Sequence, residues 1–564
     1  MKLTSLQIKN FRGFENENIN FDDITVFVGE NNTGKTTILD AIRYVMGVKS
    51  FNNFSRYDYH LSAQGARAGD AGNLELTIEV SELEEDEWPN EIQQALPESV
   101  DIDEDGLYHF YLSVKGTYNQ NDEKSEQTRE FQTRTGATKG VKANTPHNFA
   151  EIRNLLPVFH IDTIRDSNKE FQGASGLFRS FLESETIEPV KRQQLEESLA
   201  LLNTEIISVL GNISRLKEKL KQSMSVLTGS DTTIVDIDPL PANINDLIGK
   251  ATVILQNITG IKLPLERFGS GAQSLSVLFL YEAFLSVLLE KKYDKFSEPI
   301  LLIEEPEAHL HPSAIKVFWR FLVAMPGQKI ITTHSGDILA NVPFSNIRRI
   351  VGLDGTNRVK QMAETSLDEQ EKRVLRNYIK YSRGELFFST CWLLVEGETE
   401  QIFFENLLNH DGFLDRKGVS ILQFTQLSLD VILKLAETLC IRWYLISDGD
   451  TAGQTYSQKA INAIPAEMAK DDYIFTFTES TLEVNLMLNG FDEFYVSKLS
   501  EQTRPKVQGA PGTSQYYESV YSALKKSISK PQTVLEVVDA VVITGQKIAP
   551  DIIGKIREKL EAVL

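Results

Sequence analysis

"LLVEGETEQIFF" (393–404) sets a short apolar run, Leu393, Leu394 and Val395, directly against Glu396-Gly397, with Glu400 one turn later. The apolar run reads as a buried strand, the glycine breaks it, and the stretch beyond the glycine has helical character. The segment "RWYLISDGD" (442–450) repeats the design, delivering Asp448, Gly449 and Asp450 at the end of a second apolar run. Around these segments the chain alternates: strand 392–395, helix 398–409, strand 419–424, helix 428–438, strand 441–446. That βαβ rhythm predicts a small α/β domain with a parallel sheet, whose C-terminal strand ends gather ligand sites. Four carboxylates brought there repel one another without cations, and oxygen-only ligands select Mg²⁺ or Mn²⁺. A solvated turn explains each acid alone, since Asp-Gly-Asp is common in turns. It explains the pair of motifs, both following strands, far less well.

A second chemistry sits at the other end. In "VGENNTGKTT" (28–37), Gly29 to Thr36 match GxxxxGK[ST] between a strand and a helix. Its glycines, Gly29 and Gly34, let backbone N–H groups wrap phosphates, with Asn32 and Thr37 in the same loop. Lys35 is expected to reach the β- and γ-oxygens of ATP, and the Thr36 hydroxyl to bind Mg²⁺. Downstream, "PILLIEEPEAHLHP" (299–312) ends a strand in two acids. Glu304 would hold Mg²⁺, and Glu305 would orient or deprotonate the attacking water. "IITTHS" (330–335) places His334 to sense a γ-phosphate. "FGSGAQSL" (268–275) opens a predicted helix over 274–289, where Ser270 and Gly271 would equally serve as a helix cap.

A length of 564 residues exceeds one core and suggests three or four domains; 41% hydrophobic and 24% charged residues are ordinary globular composition. No run has membrane-spanning length and Met1-Lys2 leads straight into a strand pattern, so a cytoplasmic setting without a membrane partner is expected. Cys391 and Cys440, with no CxxC, argue against structural zinc and for a reducing compartment. The formal charge of −21 opposes DNA binding globally, yet grouped metal-binding carboxylates inflate it, so net charge decides nothing. The basic stretches "KKSISK" (525–530) and "TREFQTRTGATKGVK" (128–142) read as solvated faces or loops. Leu195, Leu199, Leu202, Ile206, Val209, Ile213, Leu216 and Leu220 step by threes and fours, a heptad seam that suits either self-association or packing of a long helix on its own domain.

Ser270-Gly271-Ala272-Gln273, upstream of the acidic strand, resembles the signature of ABC-type ATPases, and "LQIKNFRGF" resembles the opening of their recombination-repair and chromosome-structure branch. That resemblance implies that Ser270, Gly271 and Gln273 of one protomer cover the nucleotide on its partner's P-loop. It departs in carrying Glu304 where Asp is commoner. "LVEGETE" with "SDGD" resembles the Toprim fold, and an ABC-type head followed by Toprim is the architecture of the OLD-family ("overcoming lysogenization defect") nucleases, including the Gabija-type anti-phage nuclease. The similarity runs through "RGELFF", "LLVEGETE", "SDGD" and "STLEVNLM". It implies two-metal cleavage of DNA, with Glu396, Glu400, Asp448, Asp450 and Glu483 as ligands and Ser447 assisting. A late lysine, matched best by Lys547 in "TGQKIAPD" and otherwise by Lys555, would stabilise the transition state. The implied fold is α/β: an ABC-type ATPase head in two halves (1–164 and 251–360), a helical dimerisation insert (165–250), a connecting helix (361–390), and a Toprim parallel-sheet domain with C-terminal helices (391–564). Implied partners are DNA, a homo-dimer or tetramer, and either a helicase or a reverse transcriptase with its retron DNA. A non-catalytic ABC-type DNA clamp with a relic Toprim domain is the alternative.

Overall fold

The computed structural model describes the chain outside residues 49–53, 62–66, 120–122, 140–145, 162–186, 211–238, 242–253, 362–366, 465–468 and 545–551, and outside scattered positions, most of them in 257–299. Ser270, Gln273, Lys547 and the seam residues Ile213, Leu216 and Leu220 therefore lie outside the described residues. Two compact units result: Met1–Lys2 with Asp86–Val100 and Ala143–Lys329, and the larger Leu3–Glu85 with Asp101–Lys142 and Ile330–Leu564.

In the larger unit, strands Lys2–Phe11, Phe14–Asn20, Leu74–Ser81, Tyr108–Asn119 and Lys124–Gln132 form an antiparallel sheet. Their alternation buries one face, as Leu74, Leu76, Ile78 and Val80 illustrate. A second sheet places Ile24–Gly29 between Ile347–Leu353 and Gln328–Thr332. Its strand Ile24–Gly29 is buried on both faces, as parallel strands covered by helices are, and runs into the helix Lys35–Val45.

The Toprim segment is a four-stranded, wholly parallel sheet ordered Val419–Gln423, Cys391–Val395, Arg442–Ser447, Ile474–Thr476. Its core joins Val395, Phe404 and Ile446 to Leu482, Val534, Val537 and Ile556 from later helices. Among these, Lys530–Thr544 packs against Glu398–Leu408. One side chain ties this domain to the strand beside the P-loop strand. The Arg349 guanidinium donates to the carbonyls of Phe387 (3.1 Å), Ser389 (2.7 Å), Leu439 (2.8 Å) and Cys440 (3.3 Å). Cys440 itself is not in a strand or helix, but in a turn at φ +50°.

In the smaller unit, Ile300–Glu304 lies parallel to Val158–Ile161, and Pro189–Val209 forms a long helix. That helix carries the first half of the heptad seam and divides it. Leu199 is buried, and Asn203 exchanges two hydrogen bonds with the Leu240 backbone (2.9 and 2.7 Å), whereas Leu195, Leu202 and Val209 are exposed.

Candidate active site

Both acidic motifs end neighbouring parallel strands, so their carboxylates arrive at the same sheet edge. The strand Cys391–Val395 delivers Glu396; Gly397 caps the helix Glu398–Leu408, and its N–H donates to Glu400 Oε2 at 3.0 Å. The strand Arg442–Ser447 delivers Asp448; Asp450 caps the helix Thr451–Ala463, accepting from the Gly453 N–H at 2.8 Å. Glycine is required at 453, where an added Cβ would lie 2.0 Å from the Asp448 carbonyl oxygen. Glu483 enters from the short helix Leu482–Leu486, capped by Thr481. Ser447 shares hydroxyl hydrogen bonds with Ser457 (2.7 Å) and Thr476 (3.1 Å), which lock the strand ends together.

The cluster is buried: Glu483 is 3% exposed, Glu400 and Asp448 each 9%. Burial first, then the fields of Glu400, Glu396, Glu483 and Asp450, pushes Asp448 up to about 8. Burial, then Asp450, raises Glu396; burial, then Glu483 and Glu396, raises Glu400 against the opposing hydrogen bond from Gly397. Glu396 Oε2, Asp448 Oδ1 and Glu483 Oε1 are buried without a hydrogen-bond partner. Buried carboxylate oxygens without donors are what a divalent cation satisfies, so the donor set fits Mg²⁺ or Mn²⁺. Among the described residues no three His, Cys, Asp or Glu side chains stand close enough together to hold a metal ion as they are placed.

Among the described residues, one basic side chain reaches this cluster. Lys530, the first residue of its helix, stands 3.8 Å from Glu483 Oε1 and donates to the Tyr521 hydroxyl. Burial alone would lower its pKa; the Tyr521 contact and the fields of Glu483 and Glu400 outweigh that and raise it. Lys530 is the last residue of "KKSISK", the stretch expected to be a solvated face, and it is half-buried instead. Nothing in the local sequence distinguishes it from a solvated lysine that ends a basic run. Lys555 lies in the helix Ile552–Val563, exposed and with no described contact to the acids.

The P-loop joins the strand Ile24–Gly29 to the helix Lys35–Val45. Asn32 and Gly34 adopt φ of +66° and +97°, and a Cβ at Gly34 would meet the Phe14 ring at 2.7 Å. Lys35 is buried, its Nζ donating to the carbonyls of Gly29 (2.8 Å) and Glu30 (2.7 Å); Thr36 is exposed and Thr37 buried. In the same unit, His334 follows the strand Gln328–Thr332 and stacks on Phe388. In the smaller unit, Glu304 ends its strand with His160 Nε2 at 3.6 Å, and Glu305 is held at φ +40°. Gly271 is helical and half-buried.

The family model described as "Overcoming lysogenization defect protein-like, TOPRIM domain" matches residues 387–450. The chain belongs to the family whose model, described as "Protein of unknown function (DUF2813)", matches residues 1–385, and the segment that follows carries an OLD-like Toprim domain. It is 24% identical to "Uncharacterized protein YbjD" of Escherichia coli K12, over 81% of each chain. It is 26% identical to an "OLD nuclease" of Thermus scotoductus, over 79% of this chain and 82% of that one, and 24% identical to "Endonuclease GajA" of Bacillus cereus VD045, over 72% and 68%. An Smc head domain from Pyrococcus furiosus, solved with an extended coiled coil and bound to a domain of ScpA, covers 67% of this chain at 16% identity and a TM-score of 0.36, a likeness too loose to build on.

Proposed function

We propose that this chain is an ATP-binding, metal-dependent DNA endonuclease that acts in anti-phage defence, with the head on 1–164 and 251–360, the dimerisation insert on 165–250, the connecting helix on 361–390 and the nuclease on 391–564. The observation that supports it most is the buried acid cluster at the Toprim strand ends, with three carboxylate oxygens that have no hydrogen-bond partner. Glu396, Glu400, Asp448, Asp450 and Glu483 hold divalent cations. When bound, these cations supply an activated water and offset charge on the leaving oxygen of a phosphodiester. Lys530 adds a fixed positive charge for the extra negative charge of the transition state, a role for which Lys547 remains the candidate from sequence. Burial excludes bulk water and strengthens both effects.

In the head, Lys35 and the Gly29–Gly34 loop cradle the ATP phosphates, Thr36 and Glu304 hold their Mg²⁺, Glu305 positions water and His334 faces the γ-phosphate. The signature residues Ser270, Gly271 and Gln273 close a partner's site, so ATP joins protomers and the exposed Leu195, Leu202 and Val209 give the insert a face for a second copy. Cleavage of supercoiled plasmid with Mg²⁺ or Mn²⁺, with and without ATP, tests this beside Glu400→Ala and Lys35→Ala. Metal-dependent cutting is expected, abolished by Glu400→Ala and altered in its ATP response by Lys35→Ala. Cutting that survives Glu400→Ala would place the chemistry elsewhere.

A further inference from the structure

A cavity of about 410 Å³ opens at the opposite edge of the Toprim sheet from the acid cluster. Cys391 and Arg442 begin the strands that Glu396 and Asp448 follow, so strand length separates the two edges by roughly 20 Å. Its wall includes Glu30 and Thr33 of the P-loop and the cations Arg349, Arg416, Lys417 and Arg442. Neither Lys35 nor Thr36 lines it, so it is not the P-loop's own phosphate cradle.

The charges here are poorly balanced. Arg349 is 3% exposed, and its guanidinium is bonded only to carbonyls, with no carboxylate in ion-pair range among the described residues. Four carbonyls accept from it and the field of Glu30 in the same wall reaches it, so what offsets its burial is one carboxylate and backbone dipoles. Lys417 likewise has no ion-pair partner among the described residues, while Arg416 shares Asp411 at 3.5 Å with Arg557. Glu30 is the one carboxylate in the wall. In the adjoining groove, which shares Leu353, Cys440 and Arg442, Lys434 and Lys459 are instead neutralised by Glu371 (2.8 Å) and Asp430 (2.7 Å). The wall of the first cavity thus sets four cations against one carboxylate, in a chain of net charge −21. Guanidinium forks set around a cavity of nucleotide-ligand size match phosphate better than a single carboxylate.

We propose that this cavity binds a phosphate-bearing anion through Lys417, Arg416 and Arg442, with the buried Arg349 in its wall. A phosphate there touches the P-loop's Glu30–Thr33 stretch and the base of the Toprim sheet at once, so one ligand reports on both. The phosphate comes from a free nucleotide or from the backbone of a nucleic-acid strand.

Two probes separate these sources: a short fluorescein-labelled single-stranded oligonucleotide and mant-ATP. Each is titrated by fluorescence anisotropy against the full chain carrying Lys35→Ala, in EDTA, so that neither the P-loop nor the acid cluster dominates. Adding Lys417→Glu with Arg442→Glu is expected to weaken at least one probe by roughly tenfold and to lessen its salt dependence. Loss for the oligonucleotide alone assigns nucleic acid, loss for mant-ATP alone assigns a free nucleotide, and loss for both supports the shared chemistry. Arg504→Glu with Lys506→Glu, exposed and outside the cavity, is the control for diffuse charge, and the milder Lys417→Gln with Arg442→Gln guards against misfolding. Binding unchanged by the cavity substitutions, equal loss in the control, or no probe bound by the parent would overturn the proposal.

Discussion

Asp448 is the residue at which the site's electrostatics become measurable. Protonated in the fold up to about 8 and ionised above 3.8 in the unfolded chain, it makes the folded state bind more protons across that window. Its stabilising contribution is therefore present at low pH and lost as pH rises. In EDTA the melting temperature should fall between pH 5 and about 8, by a free energy on the order of a few kcal/mol, with a shallower fall in Asp448→Asn. Mg²⁺ should reverse the trend, because it binds the ionised form. Melts that run parallel for parent and variant across this range would remove Asp448 as the cause. Lys530 carries a second expectation. Lys530→Ala should slow single-turnover plasmid cleavage by about a hundredfold or more with metal saturating, and Lys530→Arg should restore part of it. If Lys547→Ala is the slow variant and Lys530→Ala cuts normally, the catalytic role passes to Lys547. Both acidic motifs were legible because each sits within a few residues of the strand that presents it. Lys530 was not, since a lysine ending a basic run looks like any solvated lysine until its helix packs.

At the scale of elements, the site depends on how two strands hand over to two helices. The turn through Asp448, Gly449 and Asp450 leaves no room for side chains: a Cβ at 449 would meet the Glu479 carbonyl at 2.4 Å, and one at 453 the Asp448 carbonyl at 2.0 Å. Both obstacles are backbone and cannot swing aside. Gly453→Ala should cost about 1–3 kcal/mol and displace Asp448, so that Mg²⁺ no longer raises the melting temperature. A variant melting like the parent, with its metal response intact, would show that the turn relaxes freely. The strands Cys391–Val395 and Arg442–Ser447 followed from their apolar runs, whereas the short helices Phe413–Lys417 and Phe424–Leu427, too brief to show a period, did not. The heptad pattern over 195–209 identified the helix but not its partners: Leu199 is buried and Asn203 bonds the Leu240 backbone, while Leu195, Leu202 and Val209 stay exposed. Periodicity reports that a face is apolar, not what covers it.

At the scale of the whole molecule, Arg349 carries the connection between the P-loop's neighbouring strand and the Toprim domain. Its burial lowers its pKa to about 10, a desolvation that the carbonyls of Phe387, Ser389 and Leu439 make tolerable. Arg349→Met leaves those carbonyls without a donor and should cost about 2–4 kcal/mol. Protease should then cut faster within 383–390, and an unchanged digestion pattern would deny Arg349 this role. Nothing local marks Arg349 in "NIRRIVGL", where its neighbour Arg348 bonds Asp22 at 2.7 Å instead. By itself the sequence determined the two chemistries, a phosphate loop and a carboxylate set, because each is encoded by residues adjacent to the strand that positions it. Glu483 was expected only through the family resemblance, and only the tertiary structure decided that Lys530 comes to it and that Arg349 binds the Toprim carbonyls. Those meetings arise from helices and strands packing across long stretches of chain, where hydrophobic burial sets the distances and no local pattern records them.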